Sequence, residues 1–244
     1  MANHLSDLLD ACRSGELLFS QESSPRWHEH APALAVSLGA NAVCFDAGRI
    51  ESMVGFRVVP ELARLPYETC WIEFESEDNF VCALLTEEGK GVGGHIWTKN
   101  KASRDWMFRC AFLCANDGGK TQFQAIRSKE DADQLNEVVA AFRCFLCALN
   151  CTNVRRVEHK ADEKLQKARA RRGKRPLFST WTLELDLSRP ESGDSLGGTH
   201  ASPRLHLRRG HARQYAPGKW TWVQPCVVGN KAAGMIHKDY RVAP

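Results

Sequence analysis

TCWIEFES (69–76) opens the stretch of sequence that decides the fold, and four similar segments follow it: NFVCALLTEE (79–88), GGHIWTK (93–99), WMFRCAFLCA (106–115) and TQFQAI (121–126). All five are rich in β-branched and aromatic residues, and the breaks between them are short and polar or contain glycine. Strands with such short connections pair with their neighbours along the chain. The pattern therefore predicts an antiparallel meander.

Helical periodicity flanks this meander on both sides. Apolar residues recur at helical spacing in 4–14, and a second helix is predicted over 29–39. After Ser128, which resembles a capping residue, an apolar helix is predicted over 130–150. A long apolar helix beside a sheet packs across one of its faces, so the predicted fold class is α+β.

The chain after residue 152 is organised differently. We predict a strand at VRRVEH (154–159), a basic helix over 161–172, a strand over 179–187 and an exposed loop over 188–203. RLHLRRGHARQY (204–215) and KWTWVQPCVV (219–228) are predicted to form a hairpin around Ala216-Pro217-Gly218, with a final strand in the tail.

We therefore predict three parts. They are an N-terminal α+β domain (1–154), a basic helix and linker (155–177), and a C-terminal β-rich unit (178–244).

Charge is segregated along the chain. Residues 1–154 carry 14 Lys and Arg against 21 Asp and Glu, a net charge of −7, whereas residues 155–219 carry 16 against 7, a net charge of +9. Such asymmetry is typical of proteins that bind RNA, DNA or an acidic protein, although a solvated helix face has the same composition.

Composition also excludes some classes of protein. No apolar run approaches the roughly 18 residues of a membrane-spanning helix, and the first residues lack the pattern of a secretory signal. The ten cysteines lie mostly in apolar runs, where a thiol packs as a small hydrophobic group. We expect a protein of the reducing cytoplasm, without a membrane partner and without a cofactor.

Three cysteines share one face of the predicted helix 130–150. Cys144, Cys147 and Cys151 follow one another at helical spacing, opposite an apolar face. We interpret them as packing residues on a helix that is covered on both sides. A metal site is the weaker alternative, because the sequence does not supply a fourth ligand at a familiar spacing.

The hairpin segment carries the most informative side chains. Strand alternation places His206 and Arg208 on one face and Arg209, His211 and Arg213 on the other, unless Gly210 forms a bulge. Arginine binds phosphates and carboxylates through two hydrogen bonds, and aromatic rings stack on bases. The predicted binding residues are Arg208, Arg209, His211, Arg213, Lys219, Trp220 and Trp222 of the hairpin, with Arg171, Arg172 and Lys174 of the basic helix. In the structural alternative, the tryptophans form a small core and the arginines pair with Glu184, Asp186 or Asp194.

Catalysis is a third interpretation of the hairpin segment, beside ligand binding and structural packing. His206 or His211 could act as a general acid or base in a ribonuclease, with the arginines holding phosphates. Nothing in the sequence brings the two imidazoles together, and His28, His30 and His95 have no spacing that indicates a metal. Familiar nucleotide-binding and hydrolase motifs are missing. We expect binding rather than catalysis.

Several stretches resemble a family of small proteins from phages, prophages and conjugative plasmids: LPYETCWIEFE (65–75), KLQKARARRGKRPLF (164–178), GTHASPRLHLRRGHARQY (198–215), TWVQPCVVG (221–229) and KDYRV (238–242). An RRGHxR segment followed by WVxP marks this family, and its characterised relatives are type V-A anti-CRISPR proteins. The residues that match the signature are Arg208, Arg209, Gly210, His211, Arg213, Trp222 and Pro225.

The resemblance implies a mobile-element protein that blocks host defence in the bacterial cytoplasm. Its partners would be the host CRISPR nuclease or the nascent N-terminal peptide of that nuclease, with RNA or the ribosome as further partners, and loss of the messenger RNA would follow. The alternatives are a ribonuclease and a structural or regulatory phage protein.

Overall fold

The computed structural model describes residues 4–19, 25–53, 56–89, 91–115, 121–124, 129–185, 204–208, 211–223, 226–228 and 230–235. The helices are α1 (His4–Ser14), α2 (Pro25–Gly39), α3 (Lys129–Leu149) and α4 (Glu163–Arg171). The first nine strands are β1 (Leu17–Phe19), β2 (Val43–Arg49), β3 (Thr69–Glu75), β4 (Asn79–Glu88), β5 (Gly91–Asn100), β6 (Trp106–Ala115), β7 (Gln122–Gln124), β8 (Val154–His159) and β9 (Thr180–Leu185). The remaining strands are β10 (Arg204–Arg208), β11 (His211–Ala216), β12 (Lys219–Val223), β13 (Cys226–Val228) and β14 (Asn230–Met235).

The predicted meander forms the centre of the main sheet. Strands β3 to β7 follow one another in antiparallel pairs, which confirms the α+β fold class. The strand order is β1-β6-β5-β4-β3-β2-β9-β8, with β7 also on β6. Strands β1 and β2 were not predicted, and both pair in parallel, β1 with β6 and β2 with β3 and β9.

Helices cover both faces of this sheet. Alternation along β3 directs Trp71 toward α1 and α2, and Ile72 toward α3. Both side chains are fully buried, and burying each contributes about 1.5–3 kcal/mol. The expected helix across one face is confirmed as α3, and α2 begins at Pro25, earlier than predicted, because proline suits the first helical position.

The main sheet continues across the predicted boundary at residue 154. Strands β8 and β9 extend it, and Cys44 of β2 lies opposite Thr180 of β9. The division into three parts stays a prediction about independent folding units. The predicted loop over 188–203 lies outside the described residues. None of the described helices is both long and apolar enough to cross a membrane.

Candidate functional site

Strands β11 and β12 form a tight hairpin. Gly218, with φ of +69°, lies in the turn, where a left-handed backbone favours glycine. Ala212 lies opposite Trp222, and Arg213 lies opposite Thr221. The sequence therefore predicted correctly that these strands pair around Ala216-Pro217-Gly218.

The hairpin is fixed to the end of α3. The Asn153 side chain accepts a hydrogen bond from the Trp222 backbone at 2.7 Å and donates one to its carbonyl at 2.9 Å. The backbone N–H of Thr152 donates to the Trp220 carbonyl at 2.9 Å. The Thr152 hydroxyl donates to the same carbonyl at 2.8 Å. Together these four hydrogen bonds hold β12 in one orientation.

Both tryptophans of the hairpin face the protein. Trp222 is 8% exposed and packs against Phe56, with ring centroids 5.2 Å apart. Trp220 packs against the same cluster and is half-buried. The geometry therefore gives Trp222 a packing role, because a buried ring has no face to offer to a base.

The opposite side of the hairpin carries its polar residues. Arg213 and Lys219 are exposed, and His211 is half-buried and makes further contacts. Tyr215 is also exposed, but it lies at a register shift of the hairpin, with its hydroxyl 3.4 Å from the Thr152 hydroxyl. Because Ala212 and Trp222 point inward, alternation directs Arg213 outward. In the described part of the chain, Arg213 has no carboxylate within ion-pair distance. This side therefore offers an exposed guanidinium on a rigid support.

Strand β10 pairs with β13, and β11 pairs with β12, in the same antiparallel register, with His206 opposite Val228 and His211 opposite Val223. This agrees with the predicted pairing of 204–215 with 219–228, and residues 209–210 and 224–225 between the two paired stretches lie outside the described residues. Strand β10 also pairs in parallel with β14. The side chain of Arg208 is not described, and Arg209, Gly210 and Pro225 lie outside the described residues, so their roles stay predictions.

The basic helix lies away from the hairpin. Arg169 pairs with Asp10 of α1 at 3.2 Å, and Ser6 of α1 donates to the Pro176 carbonyl. These contacts place α4 on the α1 side of the sheet, beyond the end of β8. The hairpin is fixed at residues 152–153, before the start of β8, on the α3 side.

The two basic surfaces therefore lie near opposite ends of β8. The six residues of β8 separate them by roughly 17 Å along the strand. Arg171, Arg172 and Lys174 are exposed, as predicted for a binding surface, but they form a second surface. Of the carboxylates in the structural alternative, Glu184 pairs with Arg155 at 2.6 Å. Asp186 and Asp194 lie outside the described residues.

Comparison with models of protein families identifies the family of this chain. The model of the AcrVA2-like family, described as the anti-CRISPR type V subtype A2 family, matches residues 52–230. The chain belongs to this anti-CRISPR family. The match begins before β3 and includes α3, α4 and the β11–β12 hairpin.

Membership gives the chain an anti-CRISPR function and a CRISPR effector as its partner in general terms. The match does not single out the RRGHxR and WVxP segments, so that signature stays a prediction. Comparison with proteins of curated function and with solved structures gives no match.

Cys144 and Cys147 of α3 pack against the segment that precedes β3, and Cys151 lies just beyond the end of α3. The Cys144 thiol donates to the Phe56 carbonyl at 3.5 Å, Cys147 donates to Val59 at 3.4 Å, and Cys151 donates to the carbonyl of Cys147 at 3.2 Å. Burial raises the pKa of Cys144 and Cys151 to about 12. Protonated thiols are poor metal ligands, and the described residues contain no cluster suited to a metal ion.

We expect these three thiols to resist alkylation in the folded protein. At pH 8, reaction with iodoacetamide should be at least about a hundredfold slower than in urea, because burial suppresses the thiolate. Trypsin releases all three in one peptide, residues 144–155, so mass spectrometry measures them together. Rapid labelling of the native protein, or zinc whose removal exposes the thiols, would contradict the packing interpretation.

Sequence reasoning missed the residues that fix the hairpin. Thr152 and Asn153 follow α3 directly and resembled an ordinary helix end. Their partners are 68 and 69 residues away, and no local pattern reports such a contact.

Of the other histidines considered, His95 is buried beneath α2 between Trp27 and Trp97, and burial lowers its pKa to about 4. It therefore stays neutral near pH 7.

Proposed function

We propose that the chain is a mobile-element protein that blocks a type V CRISPR system by binding the host nuclease, including its nascent N-terminal peptide, without chemistry of its own. The match to the anti-CRISPR family over residues 52–230 carries this proposal. The exposed side of the β11–β12 hairpin supports it, because a rigid hairpin with exposed cations suits an acidic partner.

The hairpin is the better candidate than α4 for the effector-binding surface. Its backbone is fixed by Thr152 and Asn153, so little conformational entropy is lost when a partner binds. Arg213 stands on this support, whereas Arg171 is at the end of a nine-residue helix. Arg208 and Arg209 are proposed to act with Arg213 on the same partner, and RNA or the ribosome would contact the remaining basic residues.

Reversing the charge of Arg213 should separate binding from folding. We expect Arg213→Glu to weaken binding of the nuclease, or of its N-terminal peptide, by about ten- to a hundredfold, since a charge-assisted hydrogen bond is replaced by repulsion. Protection of a CRISPR-targeted plasmid should fall in parallel, with an unchanged melting temperature because the side chain is exposed.

Arg171→Glu is the matched control for this experiment. It makes the same change of charge on an exposed arginine near the other end of β8, and it should leave binding of the nuclease within about twofold. Equal losses in both variants would indicate only a general attraction to acidic partners. Full protection by Arg213→Glu would overturn the assignment of this surface.

A further inference from the structure

A β-bulge in the main sheet directs an arginine to the α3 side. Ile96 of β5 lies opposite Cys110 of β6, but its neighbour Trp97 lies opposite Phe108, so Arg109 is an extra residue without a partner across the strands. Bulges change the alternation of side chains and are frequent beside binding sites. Phe108 packs on the α1 side and Cys110 on the α3 side.

The charge of Arg109 is not matched within the described residues. Among the described residues, its guanidinium donates a hydrogen bond to the Met107 sulfur at 3.6 Å, and a thioether is a weak acceptor. No described carboxylate lies within ion-pair distance of Arg109, and the side chain is half-buried. A guanidinium with unused donors in a partly buried position favours an anionic ligand.

Arg109 lines a cleft of about 400 Å³ between the sheet and the first half of α3. The apolar part of the cleft is formed by Leu18, Val81, Ile96, Met107, Leu135 and Val138. Its polar part is formed by Asn79, Thr98, Asn100, Ser103, Asp105, Arg109 and Gln134. The volume lies within the range of small-ligand sites, and an apolar wall with a few polar groups is their usual composition.

The polar groups are held in place by the turn between β5 and β6. Asn100 accepts hydrogen bonds from the backbone of Ala102 and Ser103, both at 2.9 Å, and its amide nitrogen donates to Asn79 at 3.4 Å. Because the Asn79 oxygen is used in this way, its amide nitrogen is left to donate to a ligand. Asp105 adds an acceptor to the same wall.

We propose that this cleft binds a nucleoside 5′-monophosphate unit, either as a free nucleotide or within single-stranded RNA. Arg109 would hold the phosphate, the aliphatic side chains would cover the base, and Asn79 and Asp105 would provide a donor and an acceptor for its edge. The site goes beyond the proposed function, because it lies at the other end of α3 from the β11–β12 hairpin and does not require binding of the nuclease.

Calorimetry with the full chain tests this proposal. The probes are AMP, UMP, inorganic phosphate, adenosine and a ten-nucleotide single-stranded RNA. We expect at least one nucleoside monophosphate, or the RNA, to bind at least tenfold more tightly than phosphate or the matching nucleoside. Arg109→Gln should weaken that binding at least tenfold, and Arg13→Gln, at an exposed arginine of α1 outside the cleft, should leave it within about twofold. Binding of monophosphates would indicate a free nucleotide, and binding of RNA alone would indicate a strand.

Three results would overturn the proposal. They are no binding of any probe at millimolar concentration by folded protein, phosphate binding as tight as nucleotide binding, and equal losses in the two arginine variants. Thermal unfolding of Arg109→Gln shows whether the variant is folded, and Asn79→Ala tests the same cleft if it is not. Because the readout is nucleotide binding, failure here leaves binding of the nuclease untouched.

Discussion

Replacing Trp222 by alanine is expected to release the hairpin and to abolish inhibition. The indole is 8% exposed and packs against Phe56 and against the cysteine face of α3. Loss of a buried tryptophan costs about 3–5 kcal/mol, because the surrounding residues cannot fill the space. The effect on inhibition is larger than for any exposed substitution, since Arg213 and Tyr215 lose their support together.

The measurement is urea unfolding, combined with protection of a CRISPR-targeted plasmid. Tyr215→Ala provides the matched control, because this aromatic side chain belongs to the same hairpin but is 55% exposed. It should change the free energy of unfolding by less than about 0.5 kcal/mol. A Trp222→Ala protein with wild-type stability and full protection would show that the hairpin does not depend on this anchor.

Stability is expected to fall as the pH rises from 6.5 to 8, because of one buried carboxyl group. Burial raises the pKa of Glu73 to about 8, against a partial lowering by the hydrogen bond that the Trp71 indole donates at 3.0 Å. In this pH range the folded protein keeps the proton on Glu73, whereas the unfolded chain has lost it. The stabilisation is complete below about pH 4.5 and is lost as the pH rises through 8, at up to about 1.4 kcal/mol per pH unit.

Glu73→Gln should remove this slope, since a neutral amide keeps the hydrogen bond from Trp71 without titrating. Urea unfolding at several pH values between 6.5 and 8 measures it. Glu75→Gln is the control, because a hydrogen bond from Lys101 lowers the pKa of Glu75 and places its titration below this range. Burial lowers the pKa of His4 and His95 to about 4 in the folded protein, so stability gains from them as the unfolded histidines lose their protons around pH 6.5. This gain opposes the Glu73 slope near pH 6.5, but it is the same in the wild type and in Glu73→Gln and cancels in their comparison. An unchanged slope in Glu73→Gln would refute this account.

Local patterns predicted the centre of the fold well. The segments 69–76 and 79–88 became β3 and β4 almost to the residue, because alternation and short connections determine both the strands and their pairing. Strand β2, VCFDAGR, was missed because it contains Asp46 and Gly48 and pairs in parallel with strands far along the chain. Parallel pairing leaves no hairpin signal in the sequence.

The candidate site was predicted less well for the same physical reason. The sequence predicted β8 at 154–159 and identified the cations of α4 and of the hairpin. It did not show that the hairpin is fixed before β8 and that α4 is fixed to α1, because both contacts join residues far apart along the chain. Residue type also could not assign Trp222 to packing, since a tryptophan in a polar hairpin suits both stacking on a ligand and burial. Its position against Phe56 decides the matter.

The position of β8 between the hairpin and α4 has a consequence for avidity. An extended partner long enough to reach both the hairpin and α4 would be held at two points. Once it is bound at one of them, its effective concentration at the other is high, so the second contact forms readily. A short acidic peptide would engage only one end and dissociate quickly. A partner that engages both cationic surfaces would therefore be selected by its length.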